Sequence, residues 1–186
     1  MGHGLLRPAA VGLAVILAMA AFGACGGQAS PESDSDQGQS LSASRTKEYG
    51  TLAELAKESG IVAVVRATDE AVVETVHDIP FTVTTVKVTR SLQGTSAGTL
   101  LRVRQTGSAK TDIQHDFPPI LKAGQSYLLF LHPFWFTEGV STGQYYVTGN
   151  AGIFAADGAG YRRLDPVSTA LPGSVTESDA LAAVRS

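Results

Sequence analysis

Ile61-Val62-Ala63-Val64-Val65-Arg66-Ala67 and Tyr127-Leu128-Leu129-Phe130-Leu131 decide the fold. A nearly continuous β-branched run reads as a strand, and a stretch that is apolar throughout reads as a strand at the centre of its sheet. Ala71 to Val76 reads as a second strand after the polar break at Asp69-Glu70. Pro80 to Leu92 is long and β-rich, but its alternation changes parity: Phe81 and Val83 point one way, Val86 and Val88 the other. One extra residue near Thr84-Thr85 would restore the alternation, and a bulge of that kind bends a strand around a barrel corner. Leu101 and Val103 alternate with Arg102 and Arg104, the pattern of a strand with one buried and one wet face. Tyr145 to Thr148, Ile153 to Ala155 and Tyr161 to Leu164 complete the set, with Asp157-Gly158 at the last turn.

A helix is expected at each end of this β-rich region. Thr51 and Glu54 have capping-box spacing, Leu52, Leu55 and Ala56 form one apolar face, and Gly60 stops the helix. Thr176 and Asp179 cap a second helix from about Glu177 to Val184, with Leu181 and Val184 on its apolar edge. Many short strands between two helices point to a mainly β fold, a small closed or nearly closed barrel.

The N-terminus has a different character. His3 and Arg7 precede an apolar run from Ala9 to Ala21, roughly 13 residues, the length of a signal-peptide core rather than of a bilayer span. It leads into Phe22-Gly23-Ala24-Cys25, and Cys25 is the only cysteine of the 186 residues. This segment resembles the lipobox of bacterial lipoproteins, whose cysteine becomes the lipid-bearing first residue of the mature protein. The family pattern prefers Leu, Val or Ile where this chain has Phe22. Gly23 is tolerated there and Ala24 fits. Ala18-Met19-Ala20 offers ordinary signal-peptide cleavage as the alternative. The lipobox resemblance implies a signal peptide over 1–24 and a lipid anchor on Cys25 (palmitate among its acyl chains) at the outer face of the cell membrane. From Gly26 to about Glu48 the chain is Gln, Ser, Asp, Gly and Pro with almost no large apolar residue. Such a composition buries too little surface to offset ordering entropy, so 25–48 reads as a tether and 49–186 as the folded domain.

A second resemblance rests on four segments. These are Gly60-Ile61-Val62-Ala63-Val64-Val65-Arg66-Ala67, Phe81-Thr82-Val83-Thr84-Thr85-Val86-Lys87-Val88, Leu92-Gln93-Gly94, and Leu121-Lys122-Ala123-Gly124-Gln125-Ser126-Tyr127-Leu128-Leu129-Phe130. Over roughly residues 60–150 they resemble the netrin-type, OB-like barrel shared with tissue inhibitors of metalloproteinases. The resemblance implies a small OB-like barrel flanked by a short N-terminal and a C-terminal helix. The inhibitors reach a catalytic metal with a free N-terminal cysteine on the barrel edge. With Cys25 acylated and on a long leash, and with no disulfides, the fold carries over and the inhibitory residues do not.

Net charge is −3, and losing Arg7 with the leader makes it about −4, which offers no electrostatic case for nucleic acid. No Gly-x-Ser-x-Gly elbow, phosphate loop or dinucleotide fingerprint is present, so no cofactor and no catalytic residue are expected. Asp112, His115 and Asp116 in the loop-like 107–124 segment are candidate metal ligands, although their spacing matches no zinc pattern. They support an alternative reading as a metal-dependent enzyme. The richest candidate is Phe134, Trp135 and Phe136 with Tyr145 and Tyr146 beyond a glycine-containing loop. Alternate strand residues face opposite sides, so these aromatics either plug the barrel end or form a surface for a protein or cell-envelope partner. The overall expectation is an anchored extracytoplasmic binding module or an accessory subunit of a membrane complex. Replacing Cys25→Ser is expected to move the protein from the membrane to the soluble fraction on cell fractionation. Unchanged retention would remove the lipid-anchor reading.

Overall fold

The structure, a computed structural model, describes residues 47–109 and 117–186. Phe22, Gly23, Ala24, Cys25, Asp112, His115 and Asp116 lie outside the described residues. Thr51 caps helix α1 (Leu52–Glu58), its hydroxyl accepting the Glu54 N–H at 3.2 Å. The return bond of the capping box falls one residue earlier than expected, because the Glu54 carboxylate takes the Gly50 N–H at 2.9 Å. The helix ends at Ser59 rather than Gly60. The Ser59 N–H and hydroxyl donate to the carbonyls of Ala56 and Leu55, at 3.1 and 2.7 Å.

β1 (Ile61–Val76) and β2 (Ile79–Gln93) form one long antiparallel hairpin. The polar break expected at Asp69-Glu70 is not a strand end. Ala67 pairs with Val86 and Ala71 with Thr84, so Thr68, Asp69 and Glu70 bulge opposite Thr85 alone. Thr68 holds the bulge in place: its hydroxyl donates to the Thr85 carbonyl at 2.8 Å and accepts the Glu70 N–H at 3.2 Å. The bulge expected in β2 near Thr84-Thr85 is therefore in β1, and β2 runs against β3 (Leu100–Thr106) in unbroken register from Thr82–Gln105 to Lys87–Leu100. From Thr82 to Val88 the parity of β2 does not change, and its own extra residues come later, at Thr89 and Leu92. Thr82, Thr84, Val86 and Val88 share one buried face, while Val83 on the opposite face is also buried.

β4 (Ser126–Phe134) pairs antiparallel with β1, and β5 (Gln144–Val147) lies parallel to β3 and antiparallel to β4. The order β1-β2-β3-β5-β4 closes back on β1, a five-stranded ring. This is the OB-like barrel expected from the sequence. β6 (Ile153–Asp157), β7 (Gly160–Arg163) and a short, unanticipated β8 (Ser174–Val175) continue the sheet from β4. Helix α2 (Glu177–Arg185) carries a complete capping box between Thr176 and Asp179 and packs against α1.

Two cores result. Ile61, Ala63, Val65, Val86, Val103 and Leu129 belong to the cluster inside the ring. Val62, Val64, Leu128, Phe130, Leu55 and Ala180 belong to a second cluster between the barrel wall and the helices. The unalternating runs of β1 and β4 are thus buried on both faces, as their composition requires. One close approach needs glycine. Gly94, at φ +72°, leaves β2 so near β1 that a Cβ there would lie 1.9 Å from the Gly60 carbonyl oxygen.

Thr84 stands out in the interior, because its hydroxyl is buried without a hydrogen-bond partner among the described residues whereas that of Thr82 donates to the Gly107 carbonyl at 2.8 Å. An unsatisfied buried hydroxyl costs about 1–3 kcal/mol. Thr84→Val keeps the shape and removes that group, so urea denaturation should show a gain of about 1 kcal/mol or more. A loss would show that the hydroxyl is satisfied in solution.

Candidate functional site

On the outside of the ring, β1, β2, β3, β4 and β5 build a wall from Glu74, Phe81, Arg104, Phe134 and Gln144. The sequence pattern placed Arg104 with Arg102 on a wet strand face. Arg102 is half exposed and Lys87 exposed, but the Arg104 side chain is only 4% accessible. Phe81 and Phe134 cover its guanidinium at 4.0 and 4.8 Å from their ring centroids, and Phe136 stands at 5.6 Å. Desolvated cation–aromatic contacts of this kind are worth up to about 2 kcal/mol each. They explain why the cation lies flat against the barrel instead of in water.

Polar partners complete the clamp. Arg104 Nη1 donates to Glu74 Oε2 at 2.5 Å and to Gln144 Oε1 at 3.1 Å. Gln144 Nε2 donates to both Glu74 oxygens at 3.0 and 3.3 Å, and Arg102 Nη2 reaches Glu74 Oε1 at 3.4 Å. Arg104 Nη2 is buried with no partner among the described residues. Three strands, β1, β3 and β5, therefore meet at one carboxylate.

The candidate aromatics divide around this clamp. Phe134 is half-buried and packs edge-on against Phe136 at 4.8 Å. Val140 in the following loop is 61% exposed, and Phe136 at 65%, Trp135 at 40% and Tyr146 at 39% make one apolar patch. His132 ties part of it together, stacked on Tyr146 at 5.3 Å and edge-to-face with Trp135 at 5.9 Å. Tyr145 turns the other way and packs on the barrel interior. Tyr145 thus packs toward the barrel interior, while Trp135, Phe136 and Tyr146 face out.

The loop after Phe136 is pinned at its base. The Thr142 hydroxyl donates to the Phe134 carbonyl at 2.5 Å and accepts the Gln144 N–H at 3.2 Å. Beyond Tyr146 lies a polar cluster in which Tyr49 donates to Glu58 at 3.0 Å and Lys47 bonds the same carboxylate. These two hydrogen bonds hold the Glu58 carboxyl below its ordinary range. Burial, then the Glu58 contact, pushes the Tyr49 phenol up to about 12, and burial raises that of Tyr146. Both phenols are therefore neutral donors at physiological pH.

A groove of about 470 Å³, lined by Val72, Val83, Thr85, Arg102 and the bulge residues Asp69 and Glu70, extends the wall along the hairpin. A concavity of about 510 Å³ near α2 shares no lining residue with the wall, and its charges, Arg90 and Glu177, pair with each other at 2.5 Å. The candidate metal ligands Asp112, His115 and Asp116 cannot be placed relative to either, lying outside the described residues. Sequence reasoning missed Glu74, Phe81 and Gln144. Glu74 left one trace, a lone acid inside a β-branched run.

Breaking the clamp from its two sides should have unequal effects. Glu74→Ala leaves a buried arginine without its carboxylate and should cost about 1–3 kcal/mol, less than for a fully buried pair because Glu74 keeps a third of its side chain in water. Arg104→Met removes the charge but keeps apolar mass between Phe81 and Phe134, and should cost less. Urea denaturation of the two variants checks the order, and the reverse order would mean that the aromatic contacts, not the ion pair, hold the wall.

No family model matches this chain, and no curated protein or solved structure matches it. What the wall recognises has to be read from its own side chains.

Proposed function

We propose that this protein is a membrane-anchored extracytoplasmic lipoprotein whose barrel is a binding module, with the aromatic wall as its recognition surface. The observation that carries the reading is the exposed patch of Trp135, Phe136 and Tyr146 seated on the buried Arg104–Glu74–Gln144 clamp. Large aromatics, Trp and Tyr above all, are among the side chains that dominate binding energy at protein interfaces. Their fixed base lowers the entropy lost when a partner orders them. The placement also fits the barrel type, since OB-like barrels bind along the outer face of strands 2 and 3 and the adjoining loops. Phe81 and Arg104 come from those two strands. The lipobox-like Phe22-Gly23-Ala24-Cys25 and the polar tether support an anchor that presents the barrel outside the cell.

The partner fitting this surface is a protein or cell-envelope component that offers an apolar face with a few polar groups. Crosslinking the purified protein in membrane extracts should recover it. Trp135→Ala combined with Phe136→Ala, with unchanged circular dichroism, should lower recovery roughly ten- to a hundred-fold, the loss expected for aromatic hot spots. A partner captured equally well by the double variant would remove the wall as the site.

A further inference from the structure

The β1–β2 hairpin runs on past the closed ring. β1 pairs with β4 only from Ile61 to Arg66, and Ala67 makes the last bonds on that side, with Gly124 and Gln125 at 2.9 Å. Beyond the bulge, Ala71 to Val76 pairs with β2 along one side, and among the described residues no strand pairs with its other edge.

The turn determines what that edge presents. His77 and Asp78 sit at φ 49° and 63°, the two left-handed residues of a tight two-residue hairpin closed by Val76 and Ile79. The closing pair exchanges hydrogen bonds, so alternate residues Val76, Glu74 and Val72 direct their backbone groups at β2. Ala71, Val73 and Thr75 direct theirs outward. Val72 and Val73 are 54% and 58% exposed. Folded proteins ordinarily shield a regular edge with Pro, Lys or a bulge inside it. Here the bulge comes before the edge, and the one charge within it, Glu74, is held by Arg104 and Gln144.

We propose that this edge is a self-association strand, paired antiparallel with the same edge of a second copy of this chain about a two-fold axis at Val73. In that register Val73 faces the partner's Val73, and Ala71 faces the partner's Thr75. All the outward backbone groups of Ala71, Val73 and Thr75 are then used, in about six hydrogen bonds. Moving the axis to Thr75 runs the partner into the turn, and moving it to Ala71 runs it into the bulge. A one-residue shift aims the backbone groups the wrong way.

Side chains fit the same register. Val73 packs on the partner's Val73 on one face. On the other, Val72 stands opposite the partner's Glu74, beside an Arg102 that lines the same groove as Val72, so acid meets arginine rather than acid. An edge-to-edge two-fold axis is perpendicular to the sheet, which places both aromatic walls on one side of a continuous surface. The inference rests on the edge and not on what the wall binds. So short an edge makes a small interface, and the dimer dissociates on dilution.

The test uses the full chain carrying Cys25→Ser, which leaves no native thiol. Val73→Cys places two thiols face to face across the axis, within disulfide reach. On mild oxidation it is expected to form dimer at least about ten times faster than Leu100→Cys, an exposed site away from the edge, with Val72→Cys also slow because it opposes Glu74. Val73→Lys sets like charges opposite each other and should weaken dimerisation at least about ten-fold by sedimentation, with circular dichroism unchanged. Equal oxidation rates at Val73 and Leu100, or association unaffected by Val73→Lys, would overturn the proposal. A chain monomeric at every concentration whose edge amides gain exchange protection only with a different protein would overturn the second copy as occupant.

Discussion

The antiparallel pairing of β1 with β4, buried on both faces, is the constraint on which the rest of the molecule depends. It closes the ring, and it forms one wall of each core. Ile61, Ala63 and Val65 with Tyr127, Leu129 and Leu131 look into the barrel, while Val62, Val64, Leu128 and Phe130 look out under the helices. At about 1.5–3 kcal/mol for each fully buried large aliphatic or aromatic side chain, this ladder outweighs any single polar contact in the chain. α1 and α2 are needed because the outer face of the ladder is as apolar as the inner one.

Ring closure sets the chemistry of the outer wall. With β5 lying between β3 and β4, Arg104, Gln144 and Phe134 come together although they are far apart in sequence. Glu74 then reaches them from the projecting hairpin. A buried ion pair contributes little net stability compared with apolar packing of similar volume. Its value here is geometric. One carboxylate ties three strands together under the exposed aromatics and holds them in fixed positions. The same hairpin leaves its far edge unpaired, so wall and edge arise from one structural choice, the extension of β1 beyond the barrel.

The elements most legible in the sequence were those governed by local physics. The Thr51 and Thr176 caps and most strand runs follow from residue type and spacing alone, although β1 read as two strands and β4 runs three residues past Leu131. The β2 bulge was misplaced for an identifiable reason. A period-2 reading assumes that only one face of a strand is buried. In β2 both faces are covered, so Thr82 and Thr84 sit inside while Val83 is buried outside, and the apparent slip in alternation was a two-sided strand. The bulge opposite Thr85 lies in β1, where a polar break looked like a strand end because Thr68 replaces ladder bonds with its hydroxyl, and the extra residues of β2 come later, at Thr89 and Leu92.

Arg102 and Arg104 mark the limit of such reading. Both carry the same residue type at the same strand parity, and the sequence treats them alike. Only the arrival of Phe81, Phe134 and Glu74 from other strands separates a half-exposed arginine from one that is 4% accessible. The sequence by itself determined the fold class, the apolar runs of β1 and β4 and the helix caps, because each depends on neighbours within a few residues. Tertiary structure alone decided which aromatic fills the barrel and which faces out, where the clamp forms and which edge stays open. Those outcomes depend on strand order and register, which bring together residues that no local pattern connects.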